Sequence, residues 1–246
     1  MTRNLAEGMN QRQFDPDAVY SRPVFENKNL QQVAPEEIDH LLANGWRYFG
    51  TDFFRMSHAI HASTLCGVMA LRLDARRFCA TSGMRRVMRK NADVSTTIIA
   101  AEHRTTYDAM FLNHRQRFQD SVQESLHDFL AETPATVPCP TLALEVRIDD
   151  TLAAVSFLGV GATATSAIYG MFDPAFRLRG LGTFTMLQEI MWTVTSGRQW
   201  YYLGYAYTVS SPYNYKLRFP GLEVFDWNTS WHPLPPGLQW GYPWTG

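Results

Sequence analysis

The spacing of apolar residues predicts helices in the first half of the chain. Ile38, Leu41 and Leu42 fall on one face of a helix in the stretch APEEIDHLLANGW. Pro35 suits the first turn of this helix, and Gly45 stands where it should end. The segment ALRLDARRF alternates apolar and polar residues and therefore predicts a short strand.

Two further helical segments are predicted before the middle of the chain. A short basic helix should run from Thr81 to Lys90, with Ser82 as its N-terminal cap. Residues 105–130 carry apolar side chains at helical spacing, which indicates one long helix or two abutting ones. The prolines between residues 133 and 140 then predict a linker or turn.

The pattern changes to strands in the second half. The segments TLALEVRI, LAAVSFLGV and SAIYGMF predict three consecutive strands. Phe184, Leu187 and Ile190 mark one face of a helix that should stop at Gly197, and WYYLGYAY predicts an aromatic strand. Strands followed by a glycine-rich loop, a helix and another strand indicate a layered α/β core.

This pattern predicts three regions. Residues 1–34 are polar and weakly patterned, as in an N-terminal arm. Residues 35–135 form a region that contains the basic helix, and residues 141–246 form the domain with the glycine-rich loop. The final aromatic and proline-rich tail should pack irregularly onto the core.

Composition excludes several classes of protein. The 246 residues are 46% hydrophobic and 18% charged, which argues against disorder. The formal net charge is −1, so a site for a polyanion would have to be local. The three cysteines do not suggest a disulfide framework, and no apolar run suggests a signal peptide or a membrane span. We therefore expect a cytoplasmic protein without a membrane partner.

The most informative motif is the loop from Arg177 to Gly182, which has the pattern R-x-x-G-x-G directly before a predicted helix. A helix N-terminus presents unpaired N–H groups and partial positive charge, and glycines let a phosphate approach the backbone. Taken alone, the motif indicates either an acetyl-CoA-dependent enzyme of the GNAT fold or a tight turn required for packing.

Several blocks of sequence along the chain extend this interpretation. An Asp-Pro at 173–174, a Leu-Gly-Thr at 181–183, a Tyr-Leu-Gly-Tyr at 202–205 and a Tyr-Lys at 215–216 follow one another. The first half adds LLANGWRYFG, FFR and SGMRRVMRKNADV. In this order the blocks resemble the aminoacyl-tRNA–protein transferases, that is, the arginyl-transferases and their bacterial leucyl-transferase relatives. The resemblance covers about residues 35 to 231.

The resemblance implies a GNAT-like catalytic domain that takes no acyl-CoA, and for this chain we predict no cofactor. The donor would be an aminoacyl-tRNA, and the acceptor would be a free amine, normally an N-terminal Asp or Glu. Aminolysis of an activated ester mainly needs positioning and stabilisation of an oxyanion. We predict that four residues contact the donor end or the oxyanion: Tyr215, Lys216, Tyr205 and Tyr202.

Binding of the RNA and of the acceptor is assigned to cations and to the glycine loop. A local basic cluster could neutralise phosphates of an acceptor stem, although it could equally be a solvated helix face. The predicted tRNA and phosphate ligands are Arg85, Arg86, Arg89, Lys90, Arg177, Arg179, Gly180, Gly182 and Thr183. Arg218 and Asp173 are predicted to contact the substrate, although Asp173 could instead only cap a turn.

Two departures from the family suggest a specialised member. The family's early Cys-x-x-Cys pair is replaced by His58 and His61, which together with Cys66 could ligate zinc or iron. A clear fourth ligand is lacking and an iron–sulfur cluster prefers thiolates, so we predict no metal. The stretch from Thr151 to Ser166 contains no charged residue, where relatives commonly have an acid. The acceptor could therefore be a small amine, a carrier-bound intermediate or a peptide precursor, and arginine as the donor is in doubt.

Three functions remain open at this point. The first is a tRNA-dependent aminoacyltransferase, and the second is an acyl-CoA-dependent N-acetyltransferase, which the R-x-x-G-x-G loop favours. The third is a non-catalytic descendant that binds tRNA or peptide. The retained Tyr-Lys, Leu-Gly-Thr and Arg-Arg pairs favour the first.

Overall fold

The computed structural model describes residues 19–118 and 123–234. It is a mixed α/β structure, as the sequence predicts. The α-helices are α1 (Pro35–Ala43), α2 (Ser82–Lys90), α3 (Thr105–Arg115) and α4 (Leu181–Thr195). The strands are β1 (Phe25–Asn29), β2 (Arg47–Phe49), β3 (Asp52–Met56), β4 (His58–His61), β5 (Thr64–Asp74), β6 (Ser95–Ala100), β7 (Thr141–Ile148), β8 (Thr151–Val160), β9 (Ala164–Phe172), β10 (Trp200–Tyr207), β11 (Leu222–Phe225) and β12 (Trp231–Pro233). Short 3-10 turns occur at Ala75–Arg77, Leu126–Asp128, Pro174–Arg179 and Pro212–Arg218.

Most strands form one nine-stranded sheet with the order β12-β11-β5-β10-β9-β8-β7-β6, and β4 pairs with β5 beside this path. Its pairs are antiparallel except β9 and β10, which run parallel because α4 connects them. A separate three-stranded sheet has the order β1-β3-β2. The strands β7, β8, β9, the glycine loop, α4 and β10 thus follow the order expected of a GNAT-like core.

The large sheet is covered on both faces, which explains why its central strands are almost continuously apolar. On one face, α1, α3 and residues of the small sheet enclose a core that includes Phe53, Tyr107 and Phe157. On the other face, α4 packs a second core around Met69, Leu187 and Tyr201. Side chains of β10 therefore alternate between two cores.

The predicted strands of the second half, the helix before Gly197 and the helix from Pro35 are confirmed. Two local predictions are wrong. The cap of α2 is Thr81, whose hydroxyl accepts a hydrogen bond from Met84 N at 3.3 Å, while Ser82 is already helical. In the described part of residues 105–130, the α-helix is limited to α3, and Leu126 reaches the core from a separate 3-10 turn that Ser125 and Asp128 cap. Residues 119–122 lie outside the described part.

Both halves of the chain contribute to the large sheet, since β5 and β6 join the strands that follow residue 141. The division into residues 35–135 and 141–246 stays a prediction. Part of the predicted N-terminal arm forms β1, and residues 1–18 lie outside the described part, as do residues 235–246 of the tail. No described helix is long and apolar enough to cross a membrane. The cytoplasmic location stays a prediction.

Candidate functional site

The two parallel strands of the large sheet separate along their length. They pair only at their beginnings, where Trp200, Tyr201 and Tyr202 face residues 164–166. Farther on, β9 stays paired with β8 and β10 stays paired with β5, so a gap opens between them. We call this gap, between residues 167–172 of β9 and 203–207 of β10, the splay.

Each strand carries a β-bulge where the splay begins. In β9 the pairing with β8 skips Ile168, and in β10 the pairing with β5 skips Leu203. A bulge bends its strand and redirects backbone groups. Gly204 follows the bulge in β10 with a φ of 86°, in the left-handed region that favours glycine.

The side chain of Arg47 fills the start of the splay. Arg47 begins β2, is 7% exposed, and its Nη1 and Nη2 donate to the carbonyls of Ala167 at 2.7 Å and Ile168 at 3.0 Å. A Cβ atom on Gly204 would lie 2.4 Å from Cζ of Arg47, so only glycine leaves room for the guanidinium. Burial lowers the pKa of Arg47, but an arginine stays charged in proteins.

Lys216 contacts β10 within the splay. It lies on the 3-10 turn Pro212–Arg218, which Asn214 fastens to β10 by bonds to the N–H and carbonyl of Tyr207. Nζ of Lys216 donates to the carbonyl of Tyr205 at 3.2 Å. Burial, and next the charge of Arg47, lower the pKa of Lys216 to about 7. Protonated and neutral forms therefore coexist near neutral pH.

A buried acid completes this group. Glu189 of α4 is 1% exposed, burial raises its pKa to about 7, and the hydroxyl of Tyr201 donates to its carboxylate. Its charge acts on both Arg47 and Lys216. Two cationic groups thus share one buried acid that is itself only partly ionised. Positive charge therefore exceeds negative charge at this buried site. Such a site can stabilise a substrate oxygen that becomes negative during the reaction.

The glycine loop forms the N-terminus of α4. Gly180 caps the helix with a φ of 71°, and no side chain accepts a bond from its first N–H groups. A Cβ on Gly182 would meet only Cε1 of Phe172, at 3.9 Å, so the backbone there is open to a ligand. The first N–H groups of α4, at Leu181 and Gly182, make a site for an anion chemically reasonable, whereas the N–H of Thr183 already donates to the carbonyl of Gly180 at 3.1 Å.

Two predicted phosphate ligands instead brace this loop. Arg179 forms a two-pronged ion pair with Asp93, at 2.6 and 2.9 Å. Nζ of Lys90 donates to the carbonyl of Leu178. The amide of Asn91 adds a bond of 2.9 Å to the carbonyl of Arg179. Both cations hold the loop against the end of α2, which the sequence did not indicate.

The remaining cations of the cluster are exposed. Arg86, Arg89 and Arg177 lie at the surface and form no ion pair within residues 19–118 and 123–234. Arg85 is also exposed, and its guanidinium donates to the carbonyl of Ala80. Since α2 packs on α4, this surface lies next to the glycine loop.

The four residues predicted at the donor end are only partly brought together. Tyr215 precedes Lys216, and burial raises its pKa to about 12. Tyr205 reaches Lys216 through its backbone, while its hydroxyl lies 2.8 Å from the carbonyl of Gly45. Tyr202 points into the opposite core from Tyr201, with its hydroxyl 3.4 Å from Nη1 of Arg72. Tyr202 is therefore separated from Lys216 by the sheet.

The two predicted substrate ligands lie in different places. Asp173 accepts a bond from Ala175 N at 2.8 Å and caps the 3-10 turn before the glycine loop. Arg218 is exposed and lies on the same 3-10 turn as Lys216.

The predicted replacements of the family's cysteine pair, His58 and His61, lie with Cys66 on the β4–β5 hairpin. His61 stacks on Tyr207, with ring centroids 5.1 Å apart, and Nδ1 of His58 lies 2.9 Å from Oγ of Ser57. Cys66 is buried beside the carbonyl of Ala59. In the described part of the chain, no three His, Cys, Asp or Glu residues are grouped so that they could hold a metal ion.

Two residues of the site were missed from the sequence. Arg47 was visible only as part of the block LLANGWRYFG. Glu189 gave a weak signal, as one acid within the apolar helix α4.

Comparisons with known proteins agree with the resemblance. The family model "Arginine-tRNA-protein transferase, C terminus" matches residues 103–226. The aspartate/glutamate leucyltransferase of Stenotrophomonas maltophilia (strain K279a) is 31% identical over 210 residues, covering 80% of each chain. The leucyltransferase of the same name from Aeromonas salmonicida (strain A449) is 28% identical over 190 residues, covering 74% of this chain and 75% of that one.

Among solved structures, FemX superimposes with a TM-score of 0.45 at 8% identity, over 77% of this chain and 65% of FemX. L-PGS from Bacillus licheniformis gives a TM-score of 0.42 at 12% identity, over 74% of this chain and 53% of L-PGS. The matches in sequence cover half of the chain by family model and four-fifths of it by relative. The chain therefore belongs to the arginine-tRNA-protein transferase family and is an aminoacyl-tRNA-dependent transferase.

Proposed function

We propose that the splay receives the aminoacyl ester of a charged tRNA and that Lys216 accepts and then returns the proton during aminolysis of that ester. The observation behind this proposal is the position of Lys216 at the splay, beside Arg47, with a pKa of about 7. A group whose pKa lies near the working pH is the most effective at both accepting and returning a proton.

The proposed step conserves atoms and charge. The nitrogen of the acceptor amine attacks the ester carbonyl carbon, a C–N bond forms, and the carbonyl oxygen becomes an oxyanion. Neutral Lys216 accepts the proton that the attacking nitrogen must lose, and the resulting ammonium stabilises the oxyanion. The C–O bond to the ribose then breaks, and the same proton passes from Nζ to the leaving ribose oxygen. The products are an amide and an uncharged tRNA.

The glycine loop would hold the end of the RNA. The open backbone at Gly182, next to Thr183, suits the terminal phosphate or ribose, because a helix N-terminus attracts anions. The exposed cations Arg86, Arg89 and Arg177 would contact phosphates of the acceptor stem, with Arg85 beside them. Gly180 gives the loop its shape, while Lys90 and Arg179 keep it rigid.

An acyl-CoA-dependent N-acetyltransferase is the second candidate, favoured by the R-x-x-G-x-G loop. Arg47 weighs against it. An extended donor arm with amide groups binds best by adding to a free strand edge. On β9 at the splay, the carbonyls of Ala167 and Ile168 already accept hydrogen bonds from Arg47. A compact aminoacyl ester needs no such edge.

The charged residues of the chain suggest which donor and which acceptor it uses. No charged residue occurs between Thr151 and Ser166, so we propose an uncharged donor side chain, in keeping with relatives named leucyltransferases. Those relatives carry aspartate and glutamate in their names, and an acidic acceptor would need a cation. Arg218 follows Lys216 by two residues, and we propose it as the contact for that carboxylate. A specialised amine acceptor is the alternative.

The donor is tested by mass spectrometry of the products formed with total charged tRNA and an Asp-initiated peptide. We expect the peptide to gain one uncharged amino acid and to remain unmodified with acetyl-CoA. Acetylation of the peptide, without aminoacylation, would establish the second candidate instead. Aminoacylation of a small amine but not of the peptide would support the specialised acceptor.

The basic surface is tested by the salt dependence of tRNA binding. The double variant Arg86→Ala and Arg89→Ala should bind charged tRNA more weakly. The decrease of log K with log salt should also become less steep, by about 0.7–0.9 in slope for each phosphate that the variant no longer neutralises. Arg22→Ala, which removes an exposed arginine outside this cluster, serves as the control. An unchanged slope in the double variant would remove both arginines from the RNA interface.

A further inference from the structure

Arg47 is an unusual buried residue. Its guanidinium is almost fully enclosed, yet no carboxylate lies within ion-pair distance of it in residues 19–118 and 123–234. Moving a charge from water into a protein interior without a paired countercharge costs roughly several kcal/mol, even after the surrounding protein has relaxed. A leucine or methionine of similar volume would usually be less costly there. Packing alone therefore does not explain an arginine at this position.

The surroundings of Arg47 are built to receive it. The bulge at Ile168 allows two successive carbonyls of β9 to accept from the same guanidinium, whereas carbonyls of a regular strand alternate in direction. The second bulge places Gly204 against Cζ, where no other residue fits. Two irregularities on two strands therefore converge on one side chain.

We infer that Arg47 is a positioning residue of the transfer reaction, which keeps β9 and β10 apart at the splay and thereby sets the position and charge of Lys216. This inference rests on the proposed role of Lys216. Arg47 holds β9 through two carbonyls and packs against β10 at Gly204. Lys216 in turn is tied to β10 through the carbonyl of Tyr205, so the width of the splay sets how far Nζ lies from β9 and from a substrate between the two strands.

The charge of Arg47 acts on the same nitrogen. The groups whose charge acts on Lys216 are Arg47, which favours the neutral amine, and Glu189, which favours the ammonium. Glu189 is in turn bonded to Tyr201. Loss of the positive charge at position 47 should therefore raise the pKa of Lys216, and less of it would be neutral at pH 7.

The chain suits a direct measurement of this effect, because it has only three lysines: Lys28, Lys90 and Lys216. NMR of protein labelled at the lysine ε-carbon gives three signals, and a Lys216→Arg spectrum assigns the relevant one. Titration of that signal in wild type, Arg47→Met and Arg47→Lys reports the pKa of Lys216 without reference to activity. Steady-state transfer assays then report kcat separately from KM.

The matched control is Arg55→Met. Arg55 lies in the same small sheet, its side chain is 15% exposed, and its Nη1 donates to the carbonyl of Asn44. We expect Arg47→Met to raise the pKa of Lys216 and to lower kcat about 10- to 100-fold, the cost of a misplaced reacting group, with little change in KM. Arg55→Met should leave both the pKa of Lys216 and kcat near wild type.

Arg47→Lys keeps the charge but lacks the rigid planar fork that spans the carbonyls of Ala167 and Ile168. It should lower kcat about 10-fold or more and leave the pKa of Lys216 near its wild-type value. If Arg47→Met does not fold, Arg47→Lys decides the matter, and wild-type kcat in that variant overturns the inference. An unchanged Lys216 pKa and kcat in folded Arg47→Met overturns it as well. Full activity in Lys216→Met instead contradicts the proposed function, whatever Arg47 does.

Discussion

Replacing Lys216 by methionine should lower kcat/KM for aminoacyl transfer by about 10²–10³-fold, the size expected for loss of one proton-transfer or oxyanion group. Methionine fills a similar volume, and in residues 19–118 and 123–234 no carboxylate lies at ion-pair distance from Lys216, so its loss breaks no buried ion pair. The loss should therefore appear in kcat, while binding of charged tRNA stays near wild type. Single-turnover assays with tRNA bound in advance separate the two.

Lys28→Met is the control for this variant. Lys28 lies 4.4 Å from the centroid of the Trp46 ring, outside the splay, and its loss should leave transfer unchanged. If Lys216→Met retained more than about a tenth of wild-type kcat, general acid–base catalysis by this residue would be too small to matter. The acid–base chemistry of the site would then have to be assigned elsewhere.

Gly204→Ala should have the largest effect on stability of any single methyl group in the site. Its φ of 86° is unfavourable for a residue with a side chain, and the added Cβ would lie 2.4 Å from Cζ of Arg47. The strain costs about 1–2 kcal/mol, and the overlap adds about 1–3 kcal/mol. Chemical denaturation measures the sum as the loss in free energy of unfolding.

Gly197→Ala separates the two contributions. Gly197 has a φ of 83°, but a Cβ there would meet nothing within 4 Å. This variant should lose only the strain contribution and keep full transfer activity. Gly204→Ala should in addition lose activity, because Arg47 is displaced from the carbonyls of β9. Equal losses of stability in the two variants would mean that the guanidinium of Arg47 moves away from the added methyl group without any loss in the free energy of unfolding.

The sequence predicted most elements of the large sheet because their patterns are local. The three strands between residues 141 and 172, α4 and β10 each combine apolar periodicity with a stop signal such as Gly197. The extent of α3 could not be predicted in this way. Leu126 has helical spacing relative to α3, but it enters the core from a turn capped by Ser125.

The site was predicted less completely than the fold. Lys216 followed from the resemblance, but the role of Arg47 depends on contacts with residues 120 and 121 positions later in the chain. No periodicity reports such a contact. Likewise, Arg179 and Lys90 were predicted as phosphate ligands, whereas in the structure Arg179 pairs with Asp93 and Lys90 donates to the carbonyl of Leu178. Charge can be read from a sequence, while its partners depend on tertiary structure.

The pH dependence of single-turnover transfer in wild type and Lys216→Arg tests the central claim most directly. The acceptor should be an alkoxyamine, whose nitrogen is uncharged throughout the range, so that only groups of the enzyme titrate. The wild-type rate should rise with pH through about 7, because neutral Lys216 accepts the proton. Lys216→Arg keeps a cation that cannot lose its proton, so this rise should disappear and the rate should be low at every pH. An equal rise in both proteins would assign the titration to another group, such as Glu189, and would contradict the account.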